Sequence, residues 1–315
     1  MSRAGLAHVL VFAGLLAGPS RAMGAGFQKV SAHVFYMESK SGGWNTGAIV
    51  TTEGVLLVDP PPEQELPAML ASLRAVTARA VRWVVSTDYL AANAAGLNVL
   101  AKQGATVIWS KELDRLAGSA PQADPAQSAA ARPQPRFLIS RQMQLYPGNV
   151  EIRILALKGK ARTAGDVIVY YPAEKALFVG GFLTSDGFPV IDSAHGEGSA
   201  PGWIDALKQV IDFAPLLKSA MPQPRQETPP AKAAEPEKSP EELVPVITAH
   251  GPPATLQSLK DLYAAAQKMR AQASRFVKAG RSREDFVKSL PSDVFGRYAN
   301  FESFAGQLYD DLQKK

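Results

Sequence analysis

The order of the predicted elements favours an α+β fold, a four-layer αββα sandwich with two β-sheets inside and helices outside. Three observations support this prediction. A β-rich unit with tight turns comes first, units that alternate strand and helix follow, and a second β-rich unit precedes a last strand and several helices. Since the two halves are similar, we expect each to supply one sheet.

In the first half, the predicted strands are short β-branched or aromatic runs between turn residues, and the helices carry apolar side chains at three- and four-residue spacing. The predicted strands are 34–37, 47–51, 55–59, 81–86 and 106–110. The predicted helices are 63–77, 90–103 and 111–116. The run at 55–58 is entirely apolar, which is typical of a strand buried on both faces.

The second half shows the same two patterns. Its predicted strands are 143–146, 151–157, 167–171, 176–179 and 244–248. Its predicted helices are 203–213, 256–278, 282–290 and 301–312. Two stretches lack periodicity. We expect 118–135 to be a flexible surface excursion, and the segment 219–243, rich in Pro, Glu, Lys and Ala, to be a disordered insertion.

Length and composition indicate one large domain. The chain has 315 residues, 46% of them hydrophobic, which is enough to bury a substantial core; we place the domain at 28–312. The net charge is +5, but the basic residues are scattered, so no nucleic-acid partner is expected. There is no cysteine, and therefore neither a disulfide nor a lipid-attachment cysteine.

The first 22 residues have the pattern of a secretory signal peptide. Arg3 supplies the positive start, residues 6–17 are mostly apolar, and small residues lead to a cleavage site after Ala22 or Ala25. The apolar run is short for a membrane span, so a retained anchor is the less favoured alternative. We therefore predict a periplasmic or secreted protein with no stable membrane span after cleavage.

A polar turn at 86–89 is a candidate functional position. It lies between the buried strand at 81–86 and a helix of small residues that contains Gly96. In α/β proteins, functional groups are commonly presented at the carboxyl end of a strand. Six other segments of the chain contain turn glycines or polar strand ends. They are 45–50 (NTGAIV), 53–59 (EGVLLVD), 159–166 (GKARTAGD), 177–181 (LFVGG), 196–199 (GEGS) and 249–252 (AHGP).

This ordered set resembles the landmarks of the metallo-β-lactamase superfamily. The resemblance implies the αββα fold from about residue 28 to 312 and, in the family, metal-dependent hydrolysis. The family's first motif reads Thr-His-x-His-x-Asp-His-x-x-Gly, of which Thr87 and Gly96 remain here. Seven ligand positions follow from the resemblance. They are Asp88, Leu90, Asn93 and Ala92 for the three His and the Asp of that motif, then Arg162, Gly181 and His250.

Only His250 keeps the residue that the family uses as a ligand. Leu90, Ala92 and Gly181 have no side-chain donor, and Arg162 is a permanent cation that repels Zn²⁺. A zinc hydrolase needs several nitrogen or sulfur ligands and an open position for water. We therefore expect no metal and assign no catalytic residue. If a metal binds at all, its ligands are His250 and Asp88.

The remaining candidate pocket consists of four former ligand positions, called here the relic site: Asp88, Asn93, Arg162 and His250. Asp88 and Arg162 are expected to form an ion pair that replaces the charge of the metal. His250 is either a structural remnant, a base or a ligand. Trp44 and Tyr89 either line the pocket or pack in the core.

Three functions follow. The favoured one is an exported, non-catalytic pseudoenzyme that binds a small molecule or an envelope protein. The alternative is an enzyme, either a divergent hydrolase of esters, thioesters or lactams with an atypical metal site and zinc as its cofactor, or a metal-free hydrolase. A weaker third is a structural partner in an envelope complex, in contact through the C-terminal helices.

Overall fold

The structure is a computed structural model, and the expected signal peptide and the insertion at 219–243 lie outside the residues it describes. Of the excursion at 118–135, only a few residues at either end are described. The described residues are 26–38, 44–88, 91–119, 133–134, 136–216 and 244–314.

The first sheet has seven strands in sequence order. They are β1 (Gln28–Lys29), β2 (Val34–Met37), β3 (Thr46–Val50), β4 (Val55–Val58), β5 (Val81–Val85), β6 (Thr106–Ser110) and β7 (Arg136–Ile139). The pairs from β1 to β4 are antiparallel, and those from β4 to β7 are parallel. The carboxyl ends of β4 and β5 therefore lie side by side.

The second sheet has six strands in the order β13-β12-β11-β10-β9-β8. They are β8 (Gln142–Leu145), β9 (Ile152–Ala156), β10 (Val167–Tyr171), β11 (Ala176–Gly180), β12 (Pro245–Thr248) and β13 (Ala254–Thr255). Only the β11–β12 pair is parallel. Its two carboxyl ends are adjacent, as those of β4 and β5 are in the first sheet.

Helices accompany each sheet. Those of the first half are α1 (Leu66–Val76), α2 (Ala91–Lys102) and α3 (Lys111–Ser119). Those of the second half are α4 (Ala200–Leu216), α5 (Leu256–Lys278), α6 (Arg283–Lys288), α7 (Ser292–Phe295) and α8 (Phe301–Gln313). Short 3-10 turns precede α1 and β11, at Glu63–Glu65 and Pro172–Glu174.

Three apolar clusters show the four layers. Ile49 and Val85 of the first sheet pack with Ile154 and Phe178 of the second, between the sheets. A second cluster joins the first sheet to α1, α2 and α3, and a third joins the second sheet to α4, α5 and α8. The predicted αββα sandwich is therefore confirmed.

Some elements were not predicted. The strand β7 follows the excursion and is short, and its Phe137 and Leu138 are exposed, so it carries no burial pattern for periodicity to detect. The strands β1 and β13 and the helix α7 are too short to show a period. Helix α4 begins at Ala200, three residues before the predicted start, and Ser199 Oγ accepts a hydrogen bond from Gly202 N at 3.3 Å.

Trp203 anchors α4 in the outer core of the second half. It is fully buried, and its Nε1 donates to the carbonyl of Phe182 at 2.8 Å. Its ring centroid lies 5.1 Å from that of Phe304 and 6.0 Å from that of Phe188. This side chain ties α4 to α8 and to the chain after β11.

We predict that Trp203→Ala lowers the free energy of unfolding by about 3–5 kcal/mol, because it leaves a large cavity in a packed core. The measurement is urea unfolding followed by circular dichroism. The control is Val190→Ala, whose side chain is 64% exposed, with an expected change within about 0.5 kcal/mol. Similar losses in both variants would contradict the assignment of Trp203 as an anchor.

Candidate functional site

The two sheets are joined by hydrogen bonds at the edge where their parallel strands end. Thr87 follows β5, and its N and Oγ1 donate to the carboxylate of Asp59, which follows β4, at 2.7 and 2.6 Å. The carbonyl of Thr87 accepts from Val167 N of β10 at 2.7 Å. The turn that carries Asp88 is therefore held from both sheets.

A second set of bonds fixes the segment that carries His250. Asn45 Nδ2 donates to the carbonyls of Thr248 and Gly251 at 2.9 and 2.7 Å. Asn45 N donates to the carbonyl of Ala249, and Ala249 N in turn donates to the carbonyl of Gly180. The end of β12 is thus tied to the start of β3 in the other sheet.

The turn between β9 and β10 presents Arg162. The carboxylate of Asp166 accepts bonds from Thr163 N at 2.9 Å and from Thr163 Oγ1 at 2.6 Å. Ser110 Oγ donates to the carbonyl of Gly165 at 2.8 Å, which connects this turn to the end of β6. Thr163 and Asp166 therefore shape the turn.

A buried ion pair lies at the centre of the relic site. Arg162 Nη1 is 2.7 Å from Asp88 Oδ2, and these side chains are only 13% and 3% exposed. The guanidinium carbon lies 5.3 Å from the ring centroid of Trp44, and that ring is 4.9 Å from the ring of His250. The guanidinium is thus in contact with a carboxylate and close to an aromatic ring.

The glycine at 181 leaves room for this pair. A Cβ at Gly181 would lie 1.8 Å from Asp88 Oδ2 and 2.5 Å from Trp44 Cζ3. No side chain fits there while Asp88 and Trp44 hold their positions. The space beside position 181, where the family resemblance places a metal ligand, is therefore occupied by the ion pair and the indole.

The structure brings together Asp88, Arg162 and His250 of the predicted relic site. Asn93 lies in α2, but its side chain is outside the described residues, as is Tyr89. His195 has a largely exposed side chain next to Asp192.

Sequence reasoning did not assign a role to Asp59. The available signal was a lone carboxylate directly after the buried apolar strand β4. Gly96, one of the two residues kept from the family's first motif, approaches the backbone closely: a Cβ there would lie 2.4 Å from the carbonyl oxygen of Pro61. Thr87 and Gly96 both have structural roles.

Burial controls the titration of this region. It raises the pKa of Asp59 to about 7, and the neighbouring Asp88 charge adds to the effect, against the hydrogen bonds from Thr87. Burial also raises the pKa of Asp166 to about 7. It raises the pKa of Asp88 as well; the charge of Arg162 opposes this shift, Asp192 adds to it, and His250 opposes it. The positive charge of Arg162 thus acts to lower the pKa of all three carboxyls, Asp59, Asp88 and Asp166.

The donor set does not fit a zinc centre. Asp88 already binds Arg162, and the carboxylates of Asp59 and Asp166 accept hydrogen bonds from Thr87 and Thr163. Within the described part of the chain, no three His, Cys, Asp or Glu side chains are close enough to hold a metal ion together. His250 has no second imidazole beside it among these residues.

Comparisons with known proteins identify the fold. No family model matches the sequence, and no curated protein does. Among solved structures, the chain is similar to the DIM-1 metallo-β-lactamase, with 17% identity over 77% of this chain and 96% of that chain and a TM-score of 0.55. A metallo-β-lactamase from Pontibacter korlensis is 18% identical over 76% of this chain and 98% of that chain, with a TM-score of 0.55. The structure of VMB-1 is 15% identical over 77% of this chain and 96% of that chain, with a TM-score of 0.55. The chain has the metallo-β-lactamase fold.

We predict that Arg162→Ala destabilises the protein by about 3–5 kcal/mol, because it leaves the buried carboxylate of Asp88 without its partner. The double variant Asp88→Ala/Arg162→Ala is expected to cost less than Arg162→Ala alone. Urea unfolding of the two single variants and the double variant gives the coupling energy. The exposed pair Arg283–Asp310 is the control and should show coupling of no more than about 1 kcal/mol. Absence of coupling at Asp88–Arg162 would refute the structural role.

We also predict that the free energy of unfolding decreases as pH rises from about 4 to about 7 and then levels off, as far as Asp59 and Asp166 control it. In this window the folded carboxyls keep protons that the unfolded chain, with a pKa of 3.8, has lost. The stabilisation from these two carboxyls is therefore fully present at low pH, and it is lost as pH rises through their pKa in the folded state.

The measurement is urea unfolding across that window. Asp59→Asn, whose amide can still bond to Thr87 N and Oγ1, should flatten the profile by at least about 1 kcal/mol, since one pKa unit corresponds to about 1.4 kcal/mol. A wild-type profile with the same slope as that of the variant would contradict the prediction.

Proposed function

We propose that this chain is an exported protein that uses the metallo-β-lactamase fold for binding and has lost metal-dependent hydrolysis. Its ligand is a small molecule or an envelope protein. The observation that carries the proposal is the buried Asp88–Arg162 pair, 2.7 Å apart and adjacent to Trp44, at the positions where the family resemblance places metal ligands.

Electrostatics supports the loss of metal. A zinc ion in this position would lie beside the fixed positive charge of Arg162, and it would compete with that charge for Asp88. Hydrolysis by zinc also requires an open coordination position for water. Here Trp44 and the ion pair fill the space beside Gly181. We expect the ion pair to stabilise the fold without holding a cofactor.

Export is supported by the sequence. The first 22 residues have the signal-peptide pattern, and the absence of cysteine suits a domain that folds without disulfides. Among the helices of the described residues, none is both long and apolar enough to cross a membrane. We propose a periplasmic or secreted location.

A second candidate is a divergent hydrolase of esters, thioesters or lactams. One observation favours it: the imidazole of His250 lies 4.9 Å from the ring of Trp44, which in turn lies beside Arg162, the ion-pair partner of Asp88. In this alternative, His250 and Asp88 would bind zinc weakly. Without zinc, His250 would act as a general base beside Asp88.

The two candidates are separated by a hydrolysis assay on the mature protein with and without added Zn²⁺. The substrates are a chromogenic cephalosporin, a nitrophenyl ester and an acyl thioester. We expect wild type and His250→Ala to give the same rate as buffer, because in this proposal the Asp88–Arg162 pair replaces the metal that would activate water. A rate that depends on zinc in wild type and is lost in His250→Ala would establish the hydrolase instead.

A further inference from the structure

A concave region is built partly by the turn between β9 and β10, which also carries Arg162. Arg162 of this turn belongs to the relic site, whereas Lys158 and Lys160 line a cleft of about 980 Å³. The other walls come from α3, from residues 140–142 beside β8, and from α4. This region, called here the basic cleft, is large enough for a small organic ligand.

The floor of the basic cleft is apolar and firmly held. Leu155, Leu157 and Phe213 line it, and the ring of Phe213 packs edge-on against Tyr170, with centroids 6.3 Å apart. Gln209 of α4 accepts a bond from Lys158 N at 3.2 Å and donates to the carbonyl of Lys158 at 3.3 Å. This double bridge fixes the chain after β9 against α4, so that the floor is preformed.

Most charges around the basic cleft are compensated within it. Arg115 pairs with Glu112 at 2.7 Å and with Glu197 at 2.9 Å, and Lys160 pairs with Glu197 at 3.2 Å. This group of two cations and two carboxylates is neutral. The remaining carboxylate, Asp212, pairs with Lys208 of its own helix.

Two cations remain without compensation. Arg141 and Lys158 line the basic cleft, are exposed, and have no carboxylate partner within the described chain. Their charge lies beside the apolar floor, since Leu157 directly precedes Lys158 and Ala156 N donates to the carbonyl of Arg141. The cleft thus combines a positively charged rim with an apolar floor.

We infer that the basic cleft binds an amphipathic anion, with an apolar chain on Leu155, Leu157 and Phe213 and an acidic head group on Arg141 and Lys158. Charge-assisted hydrogen bonds hold the head, and burial of the chain supplies the remaining affinity. The inference deepens the proposed function, because it names the ligand class of a binding protein. A free fatty acid and an anionic lipid share this chemistry.

The test is a titration of the mature protein with dodecanoate, compared with dodecanol and with acetate. Dodecanol has the chain without the charge, and acetate has the charge without the chain. We expect dodecanoate to bind at least about tenfold more tightly than either, with an affinity that falls as salt rises. Equal binding of dodecanoate and dodecanol would overturn the inference.

The double variant Arg141→Gln/Lys158→Gln should weaken dodecanoate binding at least about tenfold, since both charged partners are lost. Lys102→Gln, an exposed change in α2 away from the cleft, is the matched control and should bind like wild type. Thermal unfolding of each variant shows that the fold is kept. Unchanged binding by the double variant would place the ligand elsewhere and refute the inference.

Sedimentation with phosphatidylglycerol vesicles distinguishes the two sources of the ligand. Loss of vesicle binding in the double variant would identify the lipid head group, and dodecanoate binding without vesicle binding would identify a free acid. Binding of neither would overturn the inference. Hydrolysis is not measured in these experiments, so their failure is separate from failure of the proposed loss of catalysis.

Discussion

The ion pair between Arg162 and Asp88 connects the two halves of the molecule. Asp88 follows β5 of the first sheet, and Arg162 lies on the turn before β10 of the second. Burying two charges is costly in free energy unless each has partners, so the surrounding structure must hold both side chains in place. The turn shaped by Thr163 and Asp166 does this for Arg162.

The neighbouring residues adapt to this pair. Trp44 lies between Arg162 and His250, and the lack of a side chain at Gly181 leaves space for the indole and for the carboxylate of Asp88. Asp59 bonds to Thr87 immediately before Asp88 and carries a raised pKa because it is buried near that charge. Asp59, Asp88 and Arg162 therefore influence one another electrostatically across the ends of the two sheets.

Sequence patterns predicted much of the fold because most elements bury a regular apolar face. Strand β10 (167–171) and helix α5 (256–278) match their predicted bounds; the helix begins at a capping box formed by Thr255 and Ser258. The strand β7 was missed because its Phe137 and Leu138 are exposed at a sheet edge. The loss of metal ligands could be read from residue chemistry alone. The hydrogen bond from Thr87 to Asp59 and the position of Trp44 beside Arg162 could not be predicted, since each contact joins residues that are distant in sequence.

The central claim is that an ion pair stands where the resemblance places a metal centre. The most direct measurement is the metal content of the mature protein by elemental analysis, after purification without a metal-affinity tag and incubation with Zn²⁺, Mn²⁺ or Fe²⁺. The account predicts far less than one equivalent of any of these metals per chain, because Arg162 already supplies the positive charge beside Asp88. One tightly held metal per chain, lost on substitution of His250 or Asp88, would contradict it.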